Sequence, residues 1–413
     1  MQNILGTLSL LLLVAPHASS QGLPVVAPEE VGLSTERLKR IRPVMGRYVD
    51  ENKLAGIMTM VARRGKVVHF EKVGRMDVAK DKPIQFDTIF RIYSMTKPIT
   101  SVAIMMLYEK GHFQLSDPVS KFIPEFKDLK VFKNETEEGI ELAHAKREMT
   151  IRDLLTHTSG LTYGWGDQPV DKMYQGAQLF NPDSTLKEMV GKLSRIPLVQ
   201  QPGATWEYSV STDVLGYLVE VISGMSFDAF LEREIFKPLG MVDTSFHVPD
   251  EKVDRFAELY RPADDGGLQV VETAPLGAGP QRMFFSGGGG LFSTAADYVR
   301  FCQMLLNEGE LEGSRLLGRK TIELMTMNHL PPELHPFEQA GAGFGLGFAV
   351  LTDVAQTAIL GSEGSFRWGG AASTTFWIDP KEELIGLLMT QLMENPHPFQ
   401  QQFKVLTYQA IVD

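Results

Sequence analysis

The chain has 413 residues, 43% of them hydrophobic, and a formal net charge of −11. That length and apolar content allow a large buried core and leave room for two domains. The acidic balance, with no basic cluster to override it, excludes a nucleic-acid footprint.

In chain order, Met1 to Ser20 carries no Asp, Glu, Lys or Arg and holds an apolar run from Leu8 to Val14, followed by Ala15-Pro-His-Ala-Ser-Ser20. The run is too short to span a bilayer, and Ala18-x-Ser20 supplies small residues before a cleavage point, so residues 1–20 read as a signal peptide. The expected product is secreted or periplasmic, with no membrane span in the mature chain. Leu38, Ile41, Val44, Met45 and Tyr48 predict one amphipathic helix from Ser34 to about Asn52. Gly56–Ala62 and Lys66–Val73 flank Arg63-Arg64-Gly65 and predict a β-hairpin, with His69 alternating outward as a surface or inter-element histidine.

Phe90-Arg-Ile-Tyr-Ser-Met-Thr-Lys97 then leads into an apolar helix ending near Gly111. Ser94 and Lys97 stand three apart, on one face of the first helical turn, where the helix N-terminus adds positive potential. An amine beside a hydroxyl is a base beside a nucleophile, the Ser-Lys form of an activated serine. A second Ser-x-x-Lys, Ser184 to Lys187, follows Asn181-Pro-Asp183 and reads as a solvated helix start.

From Leu115 to Gly203 the texture breaks into short segments with an acidic patch at Asn134–Gly139, the start of a helical or loop-rich insertion. His157, in Leu154-Leu-Thr-His-Thr-Ser-Gly-Leu161, reads as a turn-fixing histidine. Tyr208-Ser-Val-Ser-Thr-Asp213 precedes an apolar helix and offers a polar group at its mouth. The glycines of Phe285-Ser-Gly-Gly-Gly-Gly-Leu291 indicate close backbone approach or a mobile loop, and lack the spacing of a dinucleotide site. Cys302, the lone cysteine, reads as a buried structural thiol. Strands are predicted over Phe344–Leu351, Ala372–Ile378 and Leu384–Met389, and a last helix over Pro398–Ile411. His329 and His335 lack carboxylates at ligand spacing, so neither metal nor cofactor is expected. The fold class is α/β (α+β): residues 21–114 and 282–413 form a domain with an antiparallel sheet flanked by helices, and 115–281 a mostly helical second domain.

Ser94-Met-Thr-Lys97, Tyr208-Ser-Val210 and Trp368-Gly-Gly370, in that order and with flanking runs such as Pro238-Leu-Gly-Met241, resemble the serine β-lactamase and penicillin-binding-protein superfamily. Within it they are most similar to the class C β-lactamase-like branch that includes family VIII carboxylesterases and acyl-transferring relatives. The resemblance implies a β-lactamase/transpeptidase-like fold with the active site in the cleft between its two parts. It implies Ser94 as nucleophile, Lys97 and Tyr208 as the proton-transfer pair with the choice of base open, and the backbone N–H groups of Ser94 and Ala371 as oxyanion hole. Substrate contacts would come from Val210, Ser211, Trp368, Gly369 and Gly370.

Two departures bear on substrate. The β-lactamase pattern has Lys or His where this chain has Trp368, and Asn where it has Val210. Both remove recognition of a β-lactam's carboxylate and amide, leaving Ser211 and Arg367 as partial substitutes. No G-x-S-x-G occurs, so the nucleophile elbow of the main rival hydrolase architecture is missing. The expectation is a carboxylesterase cleaving small neutral acyl esters through an acyl-Ser94 intermediate, with weak β-lactam hydrolysis as a side activity. The alternatives are a class C-like β-lactamase, a D-amino-acid peptidase or amidase, an acyltransferase on the same site, and a binding module without turnover. The partner is thus a small-molecule ester or amide; oligomeric state is left open.

Overall fold

The computed structural model describes residues 22–137, 139–264, 266–272 and 283–413. The expected leader, residues 1–20, and the expected domain junction at 281/282 lie outside the described residues.

An eight-stranded antiparallel sheet organises the described chain. Its strands are β1 (Gly56–Arg63), β2 (Lys66–Asp77), β3 (Lys82–Pro83), β4 (Ala342–Phe344), β5 (Ala349–Leu351), β6 (Phe366–Gly369), β7 (Thr375–Asp379) and β8 (Leu384–Thr390), in the spatial order β4-β5-β6-β7-β8-β1-β2-β3. The sheet is therefore assembled from both ends of the sequence, with β1 and β8 paired from Ile57↔Thr390 to Arg63↔Leu384. β1 turns into β2 through Arg64 (φ 52°) and Gly65 (φ 75°), two left-handed residues that match the twist of a tight hairpin. The long strand expected over Phe344–Leu351 is two strands, because Gly347 at φ 98° turns the chain back on itself.

Alternation along the strands gives the sheet two buried faces. Phe366, Trp368, Phe376 and Ile378 belong to the large core on one face. Trp377, Leu384 and Leu388 belong to a second core on the other, with Ile41, Met45, Phe399 and Phe403 from the helices α1 (Ile41–Asp50) and α8 (Phe399–Tyr408). Gly386 in β8 is required there: a Cβ at this position would overlap the Trp377 indole. The single helix expected from Ser34 to Asn52 is a short Thr35–Leu38 helix capped by Ser34 Oγ, followed by α1. Pro43, without an N–H to donate, disfavours continuity. Of the two positions open to His69 the structure has the inter-element one: it is 7% exposed and bonded to Thr59 Oγ1 at 2.8 Å, on a strand against which helix α1 packs.

Between the two halves of the sheet come α2 (Thr96–Glu109), α3 (Ile151–Leu155), α4 (Pro169–Gly176), α5 (Leu186–Leu193) and α6 (Ser211–Ser223), then α7 (Ala295–Leu306). The acidic patch is not loop but part of a hairpin, Lys130–Thr136 with Gly139–His144, which composition alone concealed. α2 packs on α6, which brings the Ser94 end of one to the Tyr208 end of the other. Among the described residues no single helix is long and apolar enough to cross a membrane.

Candidate active site

Ser94 sits in a one-turn 3₁₀ segment, Tyr93–Met95, immediately before α2. Tyr93 adopts φ 41°, a conformation a bulky L-residue enters only when its surroundings hold it there. They do so here: Ile92 N–H donates to Leu291 O (3.2 Å), Leu291 N–H to Thr96 Oγ1 (3.1 Å), and Tyr298 Oη to Met95 O (2.9 Å). The bend turns Ser94 out of a helix whose residues from Thr96 to Leu107 are all buried.

Lys97, 2% exposed, points its Nζ at three oxygens: Gly288 O (2.7 Å), Tyr163 Oη (2.8 Å) and Ser94 Oγ (3.3 Å). Three acceptors match the three donors of an ammonium group. Asp213, fully buried on the first turn of α6, sets the first of them: its Oδ1 accepts from Gly288 N (3.0 Å) and Ser286 Oγ (2.5 Å). Burial lifts the Asp213 carboxyl above its ordinary range, against the charge of Lys97 and these hydrogen bonds. Burial likewise raises the Tyr163 hydroxyl well above its ordinary value, aided by Tyr208 and Asp213, so it is held as a neutral phenol. The glycine run is thus close backbone approach: a Cβ on Gly288 would lie 2.5 Å from Asp213 Oδ2 and 2.9 Å from Tyr163 Oη.

Tyr208 reaches the same place with its ring face, whose centroid is 4.6 Å from Lys97 Nζ. Aromatic rings surround it: Tyr163 at 5.3 Å, Trp368 at 5.5 Å, Phe337 at 6.0 Å and Trp206, nearly parallel, at 6.1 Å. Two rings at the rim face solvent. Trp165, 74% exposed, stacks on Tyr163 at 4.6 Å, and Phe337, 61% exposed, is placed by its own left-handed φ of 54°. His157 lies beneath Tyr208, 5.0 Å between rings, with Nδ1 accepting from Ser209 N; burial pushes its pKa well down, which keeps it a neutral structural group.

The end of β6 closes the other wall. A Cβ on Gly370 would strike Ile92 O and Thr374 Oγ1, so glycine lets this strand end come against the Ser94 turn. The N–H groups of Ser94 and Ala371 donate no hydrogen bond among the described residues, which leaves both available to an incoming oxygen.

Ser94, Lys97, Tyr208, Trp368 and Gly370 are therefore gathered around one cleft, whereas Gly369 alternates onto the face of β6 away from Trp368. Three other assignments are corrected. Val210 is fully buried in the core at the cap of α6, and the Ser211 hydroxyl is spent on Ser159 (2.7 Å) and Ser209 (2.8 Å), so neither side chain meets a substrate. Arg367 alternates onto the opposite face of β6 from Trp368 and lends the cleft no donor. Ser184 is buried, with its hydroxyl bonded to Asn181 O, while Thr185 caps the helix that Lys187 enters. Tyr163, Asp213, Trp165 and Phe337 had no assigned role. Asp213 closes the Tyr208 motif and Tyr163 follows the Leu154–Leu161 run by two residues, which was the signal available for both.

A family model described as Beta-lactamase matches residues 41–409. The chain is 37% identical over 354 residues to an uncharacterized protein of Mycobacterium tuberculosis, covering 83% of this chain and 87% of that one. It is 29% identical to esterase EstB of Burkholderia gladioli, over 85% of this chain and 89% of EstB. Among solved structures, EstCE1, described as a hydrolase with promiscuous acyltransferase activity, superposes with a TM-score of 0.78 at 25% identity, over 90% of this chain and 99% of its own.

Proposed function

The chain belongs to the beta-lactamase family and is a serine hydrolase-type enzyme of that fold, and from this premise we propose that it is a carboxylesterase acting on neutral acyl esters through an acyl-Ser94 intermediate. The observation that carries the reading is the aromatic enclosure of the Ser94–Lys97 pair, with Trp368 where β-lactam recognition calls for a cation.

In this reading Ser94 Oγ attacks the ester carbonyl while Tyr208 takes its proton. To accept that proton Tyr208 enters the cycle as a phenolate, and Lys97, with its three donors committed, is the fixed positive charge beside its ring that compensates it until the proton arrives. The Ser94 and Ala371 N–H groups receive the developing oxyanion. Tyr208 then returns the proton to the leaving alcohol, and water repeats the sequence to release the acid. The exposed rings of Trp165 and Phe337 extend the apolar surface to the rim, which suits a bulky apolar ester and supports a second reading, transfer of the acyl group to an alcohol seated on those rings. The apolar Leu8–Val14 run and Ala18–Ser20 support export, which N-terminal sequencing of the mature protein tests.

The deciding experiment is a panel of p-nitrophenyl esters of increasing acyl length beside a chromogenic cephalosporin, with wild type and Ser94→Ala. Ester turnover that vanishes in Ser94→Ala, with cephalosporin turnover far slower, is the expected result. Faster cephalosporin than ester turnover overturns the reading. Partition of the acyl-enzyme between water and added alcohol separates hydrolase from transferase.

A further inference from the structure

On the face of the sheet turned away from Ser94, Arg367 of β6 and Lys404 of α8 line one small cavity with Ser365, Gln339 and Thr357. Arg367 is partly buried and Lys404 is 8% exposed. Neither makes a hydrogen bond or ion pair among the described residues, and no carboxylate lines the cavity. The Lys404 ammonium lies only over the rings of Trp377 (5.7 Å) and Tyr408 (5.8 Å). Asp379, the nearest acid to influence it, is already occupied by Tyr408 Oη, Ser362 N, Lys381 N and Glu382 N. Burial, then repulsion from Arg367, pulls the Lys404 pKa down to about 8 against the opposing charge of Asp379, so near neutral pH two cations face one carboxylate that is already bonded elsewhere. Two buried like charges sharing a cavity are costly unless an anion joins them.

The cavity also has the donors to complete such a site. The side chains of Ser365 and Gln339 make no hydrogen bond among the described residues. Its size limits the anion: the centre of a water-sized atom has about 20 Å³ in which to move, room for one small inorganic ion and nothing larger. We propose that Arg367 and Lys404 hold a small inorganic anion, a halide or a phosphate-like oxyanion, on the far face of the sheet. Arg367 directly precedes Trp368, so the bound ion ties the strand end that walls the active cleft to α8.

The test uses the full chain in sodium gluconate, titrated at constant ionic strength with sodium chloride, bromide or phosphate, whose order of effect distinguishes halide from oxyanion. A saturable rise in Tm of about 2 °C is expected for wild type. It should be absent in Lys404→Met and Arg367→Met, with retained ester turnover as the sign that each variant is folded. Bromide-grown crystals should show an anomalous peak between the two side chains. Equal Tm in gluconate, halide and phosphate, or a wild-type response from either folded variant, would overturn the proposal.

Discussion

Lys97 Nζ lies 2.8 Å from Tyr163 Oη and 3.3 Å from Ser94 Oγ, so the lysine is held more tightly by a neutral phenol than by the serine it serves. In Tyr163→Phe one of three acceptors is lost and Lys97 is freed to shift. A hydrogen bond to a charged group contributes about 1.5–3 kcal/mol, so kcat should fall roughly 10- to 100-fold with KM little changed. Tyr208→Phe should lose at least as much, and the double variant should fall short of the product of the two losses. Steady-state kinetics on one short ester checks all three, and strictly multiplicative losses would refute a shared proton-transfer unit.

Gly288→Ala should lower kcat/KM by about a hundredfold, because its Cβ displaces the carbonyl that holds Lys97 or the carboxylate that holds the loop. Gly289→Ala is the matched control. The nearest atom to its Cβ is 3.7 Å away, an ordinary contact, and its activity should stay within about twofold of wild type.

Removing the ring of Phe337 separates the rim from the core of the cleft. At 61% exposure the residue contributes little to stability, so Phe337→Ala should melt within about 1 °C of wild type. For esters with a bulky apolar body KM should rise several-fold, while for a p-nitrophenyl acetate it should hardly change. An equal effect on both substrates would place the bound ester elsewhere.

Stability should fall in acid through a window set by His69. Burial lowers its pKa to about 4 from about 6.5, so between these values the unfolded chain takes up a proton that the fold refuses. Stability is therefore unaffected by this group above pH 6.5, declines as pH drops, and has lost roughly 3 kcal/mol below pH 4. Denaturant unfolding across that range should show a shallower decline in His69→Gln, and parallel curves would exclude His69 as the cause.

The sequence was most legible where local rules and chemistry coincide. The Arg64-Gly65 turn, the Ser94–Lys97 spacing and the order of motifs were readable because each depends on a few adjacent residues. Positions decided by distant packing were not. Val210 and Ser211 look like cleft residues beside Tyr208, yet α6 turns one into the core and the other towards Ser159. Tyr163 meets Lys97 only because α2 packs on α6 and the turn after α3 folds beneath them. For His69 a surface and an inter-element position both stayed open, because alternation says which residues share a face and not which face is covered. Arg367 was placed in the cleft for its charge alone; the alternation that puts Trp368 there sends its neighbour to the other side.

The pairing of β1 with β8 also orders events in time. The serine and its lysine emerge early in synthesis, whereas β6, whose end walls their cleft, and β8, which closes the sheet, come last. Pairings between remote parts of a chain form slowly, since they wait for the intervening sequence. A nascent or truncated chain would thus carry the nucleophile without its opposing wall, and reactive chemistry is withheld until synthesis is nearly complete.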